Sequence, residues 1–334
     1  MKIAVIGAGL TGLTAAYNLA KEGHSVDLFE REKFIGGLAS AFKIGQENLD
    51  TFYHHIFVSD SDLLELSKEF NIHHKIKWYA PKNAIFLDNR LYPFTTPMDL
   101  LLFDPISLIS RIRMGLLVLS SKFIKDYKSF ENITARDWII KRAGKQAYEK
   151  VWGPLLISKF DVDAENISGT WIWNKFKLRG SSRGKNISKE LLGYMDGGFI
   201  TLANVLSDKI KELSGQIHLS EPVNKLEQKT DGNWKLITPK GIYEYDKVLF
   251  TASPQLLESI CHDFSVTYKK KLANLKYKSN ICLILELHKP LSDYYWITVS
   301  QKDIPFVLII EHTNLVGFKN YDSNIVYLSR YIDF

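Results

Sequence analysis

Three glycines within the first twelve residues constrain this chain more than any other feature. Gly7, Gly9 and Gly12 stand in the stretch Gly7-Ala8-Gly9-Leu10-Thr11-Gly12, directly after an apolar run over residues 2–6. A short β-branched run of that kind reads as a buried parallel strand. The spacing that follows predicts a helix over 11–22, with Leu13, Ala16, Tyr17 and Ala20 on one face and Gly23 placed to end it in a left-handed cap. Residues 25–30 then read as a second strand that closes on the acidic Glu30. Strand, glycine turn, helix, strand and acid in this order predict a βαβ unit that binds a dinucleotide.

The chemistry follows from the geometry. Gly7 permits the tight turn, Gly9 lets backbone approach a pyrophosphate, and Gly12 lets the helix pack close to the strand. Free N–H groups around Ala8, Leu10 and Thr11, backed by the helix dipole, are suited to phosphate oxygens. Glu30 lies 18 residues beyond Gly12, where a carboxylate can accept hydrogen bonds from a ribose diol.

Composition bounds the remainder. With 334 residues, 46% of them hydrophobic, the chain has enough apolar mass for about two domains and is not a disordered sequence. Its 43 basic against 37 acidic residues leave a net charge of +6, too mild to call for nucleic acid. The two cysteines, Cys261 and Cys282, exclude a disulfide framework, and no histidine or carboxylate spacing matches a zinc motif, so no metal is expected. Nothing reads as a targeting segment or a membrane span, and the expected location is the cytoplasm. In that compartment the Asn-x-Ser/Thr matches at Asn132, Asn166 and Asn186 are chance.

A glycine pair, Gly36-Gly37, follows the second strand and brings another loop's backbone toward the same ligand. Residues 6–39 resemble the opening of the FAD-dependent oxidoreductases of the flavin amine oxidase, protoporphyrinogen oxidase and phytoene desaturase superfamily. The resemblance implies FAD as cofactor, with Glu30 on the adenosine ribose, Arg31 beside it, and the Gly36-Gly37-Leu38 loop over the pyrophosphate. Leu38 departs from the many amine oxidases that carry arginine after the glycine pair. Further along, Gly193–Phe199, a helix over 201–213, a strand over 216–219 and Glu221-Pro222-Val223 resemble the superfamily's return to the FAD domain. Val223 then touches the adenine through its backbone, and a strand over 246–252 brings Thr251 and Ala252 alongside the cofactor. The implied fold is α/β, a Rossmann-like FAD-binding domain (residues 1–82 and 190–255) interleaved with an α+β substrate domain (83–189 and 256–334).

The segment Asp50–Phe57 runs toward the flavin ring in this superfamily, and its His55-Ile56-Phe57 also resembles UDP-galactopyranose mutases. Adjacent histidines on extended chain point to opposite faces, so at most one of His54 and His55 faces the flavin. No catalytic base can be assigned; His55 and Arg179 are the candidates. His73 and His74 follow a polar helix over 62–70 and read as surface.

Residues 83–94 read as a hairpin and 105–156 as a helical region, which the resemblance implies helps to roof the active site. The stretch 99–121 is apolar on one side; internal packing is the expectation, with a membrane surface or a greasy substrate as the alternatives. Trp152-Gly153-Pro154 and Trp171-Ile172-Trp173 resemble the protoporphyrinogen-oxidase-like subgroup. Lys175, Lys177, Arg179, Arg183, Lys185 and Lys189 read as a solvated loop or as a basic rim for an anionic substrate. Strand-like runs at 281–287, 296–300, 306–310 and 325–332 suggest the sheet of the substrate domain.

The expected function is hydride transfer from a partly apolar or anionic small molecule to the flavin. The alternatives are a flavin-dependent UDP-sugar mutase and a non-catalytic flavin-binding protein. No oligomeric state can be read. Relatives close with a late FAD motif that does not precede Phe334, so the expectation is that the chain covers only part of the family's fold.

Overall fold

The run Lys2–Ile6 forms the strand its β-branched residues predict, and it lies in the middle of a parallel sheet. A computed structural model describes residues 1–181, 190–301, 303–318 and 321–333. The chain divides into two compact units, the first made of Met1–His54, Phe70–Lys75 and Met195–Lys276, the second of His55–Glu69, Ile76–Tyr194 and Tyr277–Phe334. Residues 55–69, 76–82 and 190–194, which sequence gives to the cofactor domain, therefore belong with the second unit, and residues 256–276 with the first.

In the first unit four parallel strands lie in the order Gln216–His218, Ser25–Phe29, Lys2–Ile6, Lys247–Phe250. Helix Leu10–Lys21 buries Leu13, Ala16, Tyr17 and Ala20, the predicted face, and Gly23 at φ +82° follows its end. Helix Ile200–Glu212 packs beside it. An antiparallel meander, Lys225–Gln228, Trp234–Thr238 and Gly241–Tyr245, contributes Leu226, Leu236 and Tyr245 to one core with Ala4, Ile6 and Phe29 of the sheet. The α/β class and the Rossmann-like order are those expected from sequence.

The second unit has a six-stranded sheet in the order Lys278–Leu287, Asn324–Asp333, Leu308–Glu311, Trp296–Val299, Asn83–Leu87, Arg90–Pro93. The last two strands are the predicted hairpin, turning through Asp88 (φ +50°) and Asn89 (φ +58°). Its helices begin earlier and end later than sequence suggested, from Pro97–Leu102 to Gly169–Ser181. Of the tryptophans that stand out in the sequence, Trp152 and Trp173 are core, packed with Phe103, Phe130 and Phe176, and Trp171 is partly buried against the same cluster. Trp173 donates its indole N–H to the Ser121 carbonyl at 3.1 Å.

Helix Leu108–Ser121 corrects the expectation of internal packing. It buries Ser110, Met114, Leu117 and Ser121, whereas Leu108, Ile109, Ile112, Leu116 and Leu119 are exposed. Among the described residues no helix is long and apolar enough to cross a membrane, and no group of three His, Cys, Asp or Glu could hold a metal ion.

Candidate cofactor site

The glycine turn is held from three directions. Gly7, at φ +103°, donates its N–H to the Phe29 carbonyl at 2.8 Å. Ala8 donates to a Glu30 carboxylate oxygen at 2.8 Å, and the Ala8 carbonyl accepts the Gly36 N–H at 2.8 Å. Thr251 donates its hydroxyl to the carbonyls of Ile6 (2.9 Å) and Gly7 (3.2 Å), fixing the turn from the neighbouring strand.

The three glycines differ in what surrounds them. A Cβ on Gly12 would lie 1.8 Å from the Gly7 carbonyl oxygen, so the helix comes this close to the turn only because Gly12 has no side chain. A Cβ on Gly37 would lie 3.1 Å from the Gly9 Cα, so the glycine-pair loop also rests directly on the turn. A Cβ on Gly9 would meet nothing within 4 Å. Gly9 is the N-cap of helix Leu10–Lys21, no side chain caps that helix, and its first turn carries no acid. Open space in front of an uncapped, acid-free helix N-terminus suits an anion.

Glu30 directly follows the second strand and accepts the N–H groups of Ala8 and Glu32 at 2.8 and 3.0 Å. Its backbone carbonyl accepts the Glu221 N–H at 2.9 Å, which brings the loop carrying the buried Val223 to the same strand end. Ala252 lies next to Gly7, its backbone N 3.6 Å from where a Gly7 Cβ would be. Leu38 is 79% exposed. Arg31 is exposed and pairs with Glu32 at 3.1 Å. Pyrophosphate at Gly9 and the helix start, with ribose at Glu30, is what these positions fit.

The two histidines have different surroundings. His54 belongs to the first unit, its ring 5.2 Å from Phe199 and its Nδ1 buried with no hydrogen-bond partner among the described residues. Burial holds its pKa below the usual histidine value, outweighing a hydrogen bond to the Phe52 backbone. His55 belongs to the second unit and packs edge-on to Phe57 and Trp296, with ring centroids 4.9 and 5.9 Å away. The Arg179 side chain, together with Arg183, Lys185 and Lys189, lies outside the described residues.

Two carboxylates that organise the first unit carry no motif. Asp50, 1% exposed, accepts the Phe199 N–H at 2.9 Å from 149 residues away and so serves the start of helix Ile200–Glu212, which has no local side-chain cap. Glu221, also 1% exposed, accepts from Tyr243 (2.7 Å), Thr238 (2.8 Å) and Lys240 (3.3 Å). Burial alone would raise its pKa, but these three bonds outweigh burial and hold it below the usual carboxylate range. His218 lies between Glu221 and Asp27, at 3.5 and 3.8 Å, and stacks on Phe29. Period-two alternation was the available signal, since it puts Asp27, Phe29 and His218 on the meander side of the sheet.

A parallel sheet, an unobstructed approach to Gly9 at a helix start and an acid just after the next strand define a dinucleotide-binding α/β protein. The family profile of flavin containing amine oxidoreductases matches residues 10–314, and the chain belongs to that family. Its cofactor is FAD, in agreement with the donors and acceptors at the glycine turn. The zeta-carotene desaturase of Arabidopsis thaliana is 24% identical over 250 residues, which cover 66% of this chain and 43% of the relative. The chain thus spans less than half the length of that curated relative. A protein from Exiguobacterium sp. 255-15 assigned as a protoporphyrinogen oxidase superposes with a TM-score of 0.76 at 16% identity, covering 99% of this chain and 77% of that one. A reduced UDP-galactopyranose mutase superposes with a TM-score of 0.73 at 15% identity, covering 99% and 74%.

Proposed function

We propose that the protein is an FAD-dependent oxidoreductase acting on a partly apolar or anionic small molecule. The observation that carries this reading is the open approach to Gly9 beside the Glu30 carboxylate, in a chain of the flavin containing amine oxidoreductase family. FAD, when bound, supplies the hydride acceptor. The chain's own residues bind and orient. The helix start at Leu10 and Thr11 and the Gly36-Gly37 backbone hold the phosphates, Glu30 accepts from the ribose hydroxyls, and Val223 borders the adenine. His54, kept neutral by burial, can orient a polar group through Nδ1 without adding charge. His55 and Arg179 are the residues whose replacement tests for a proton-transfer or substrate-binding role. A cytosolic place of action belongs to the same reading; Cys261 and Cys282 are free thiols.

The test is a visible spectrum of the purified chain before and after adding FAD, followed by anaerobic reduction with candidate substrates. Bound flavin bleached by an apolar or anionic substrate supports the proposal. No flavin uptake overturns it. Turnover of a UDP-sugar by pre-reduced protein without an electron acceptor assigns the site to a mutase, and flavin binding without any turnover makes the chain a flavin-binding protein.

A further inference from the structure

Helix Leu108–Ser121 turns its apolar side outward. At 100° per residue, Leu108, Ile109, Ile112, Leu116, Leu119 and, just beyond its end, Phe123 fall within one arc of about 100°. Ile109 is 69% exposed, Leu116 59% and Phe123 82%. The neighbouring helix Pro97–Leu102 adds Met98 and Leu102, 59% and 69% exposed. Arg111 ties the two together, donating to the Leu101 carbonyl at 2.7 Å and the Ile106 carbonyl at 2.8 Å. The opposite side of the long helix buries Met114 and Leu117 together with Ser110 and Ser121, so most of its larger apolar side chains are the outward ones. A contiguous apolar surface of this kind marks an interaction site.

Cations border it. Lys122, Lys125 and Lys128 follow the helix, the last two exposed. Arg113 donates to the carbonyls of Lys141 and Arg142 at 2.9 Å, which places two more cations beside the helix. Asp104 and Asp126 are the exposed acids in the same stretch, and Asp99 is engaged by the N–H groups of Thr95 and Thr96. An apolar strip with a cationic margin complements an anionic lipid surface, with apolar side chains at the acyl boundary and lysines at the phosphates. Two copies of this face packed on each other would instead set the same cations opposite one another.

We propose that Pro97–Leu102 and Leu108–Ser121, with Phe123, dock the protein on the surface of an anionic lipid bilayer. This inference rests on the surface alone, independently of the oxidoreductase reading. The test is sedimentation of the whole chain with phosphatidylcholine vesicles and with vesicles containing phosphatidylglycerol, at low and high salt. Binding should be stronger to the anionic vesicles and weaken with salt. Ile112→Glu/Leu116→Glu, at exposed positions, should lower partitioning more than about tenfold with an unchanged melting temperature. Lys125→Glu/Lys128→Glu should remove the preference for anionic vesicles. Failure of the native chain to bind either vesicle overturns the proposal, as does binding undiminished in Ile112→Glu/Leu116→Glu. A dimer in light scattering that Ile112→Glu/Leu116→Glu dissolves, without vesicle binding, overturns it by assigning the face to a second copy.

Discussion

Glu30 accepts the backbone N–H of Ala8 at 2.8 Å across 22 residues of chain. The residue suited to a ribose therefore also secures the turn suited to the phosphates, and the two ends of the nucleotide site are not independent. Glu30→Gln keeps the shape but removes the charge that strengthens both roles, a difference of roughly 1.5–3 kcal/mol for one charge-assisted bond. FAD affinity should fall about ten- to a hundredfold, measured by titration calorimetry. Unchanged affinity would confine Glu30 to holding the turn.

Gly9 and Gly12 separate binding from folding. Gly9→Ala adds a methyl group where nothing lies within 4 Å, so the variant should melt like the native chain in the absence of flavin and bind FAD poorly. Gly12→Ala places a carbon 1.8 Å from the Gly7 carbonyl oxygen and must displace the helix. It should be destabilised by several kcal/mol, on the order of other overpacking changes, or fail to fold. Differential scanning calorimetry of the flavin-free proteins checks the pair.

Acid should destabilise the protein through His312. This ring is fully buried, bonded at Nε2 to the Tyr321 hydroxyl (3.2 Å) and packed on Tyr194 and Tyr327, and burial pushes its pKa down to about 3. The unfolded chain takes up a proton below about 6.5 and the folded chain does not, so stability falls as pH drops from 6.5 toward 3, by up to about 1.4 kcal/mol per pH unit for this one group. Urea midpoints against pH should show a shallower acid limb for His312→Gln.

Loss of Glu221 should unsettle the meander. Glu221→Ala leaves the Tyr243 and Thr238 hydroxyls without their shared acceptor and should cost about 2–4 kcal/mol at neutral pH. Because its folded pKa is depressed, the native contribution is present above the ordinary carboxylate pKa and is lost as pH falls through the lower folded value. The gap between native and Glu221→Ala unfolding energies should therefore narrow in acid.

Local physics made the nucleotide unit legible. Gly7, Gly9 and Gly12 act through backbone geometry within one turn, and the strands around them are short apolar runs with little alternative. The apolar strip of Leu108–Ser121 was not legible in the same way, because periodicity shows that a helix has two sides without showing which one is inside. The inner surface there accepts Ser110 and Ser121, whose hydroxyl groups carry no such preference in a hydrophobicity pattern. Asp50 and Glu221 were missed for a different reason: each serves partners made adjacent only by tertiary structure, and Asp50 reaches Phe199 from 149 residues away. Candidates for proton transfer gave the weakest signal, since His54 and His55 are neighbours in sequence with unlike surroundings.

The pairing of Lys2–Ile6 with Lys247–Phe250 sets an order on biosynthesis. One side of the first strand stays unpaired until the ribosome has delivered about 250 residues, on the order of ten to fifty seconds at about 5–20 residues per second. Throughout that interval a strand edge with Ala4, Val5 and Ile6 is available to other nascent chains. Whatever escorts this protein during synthesis has its task set by residues that come together last, and slower elongation through 76–194 would lengthen that exposure.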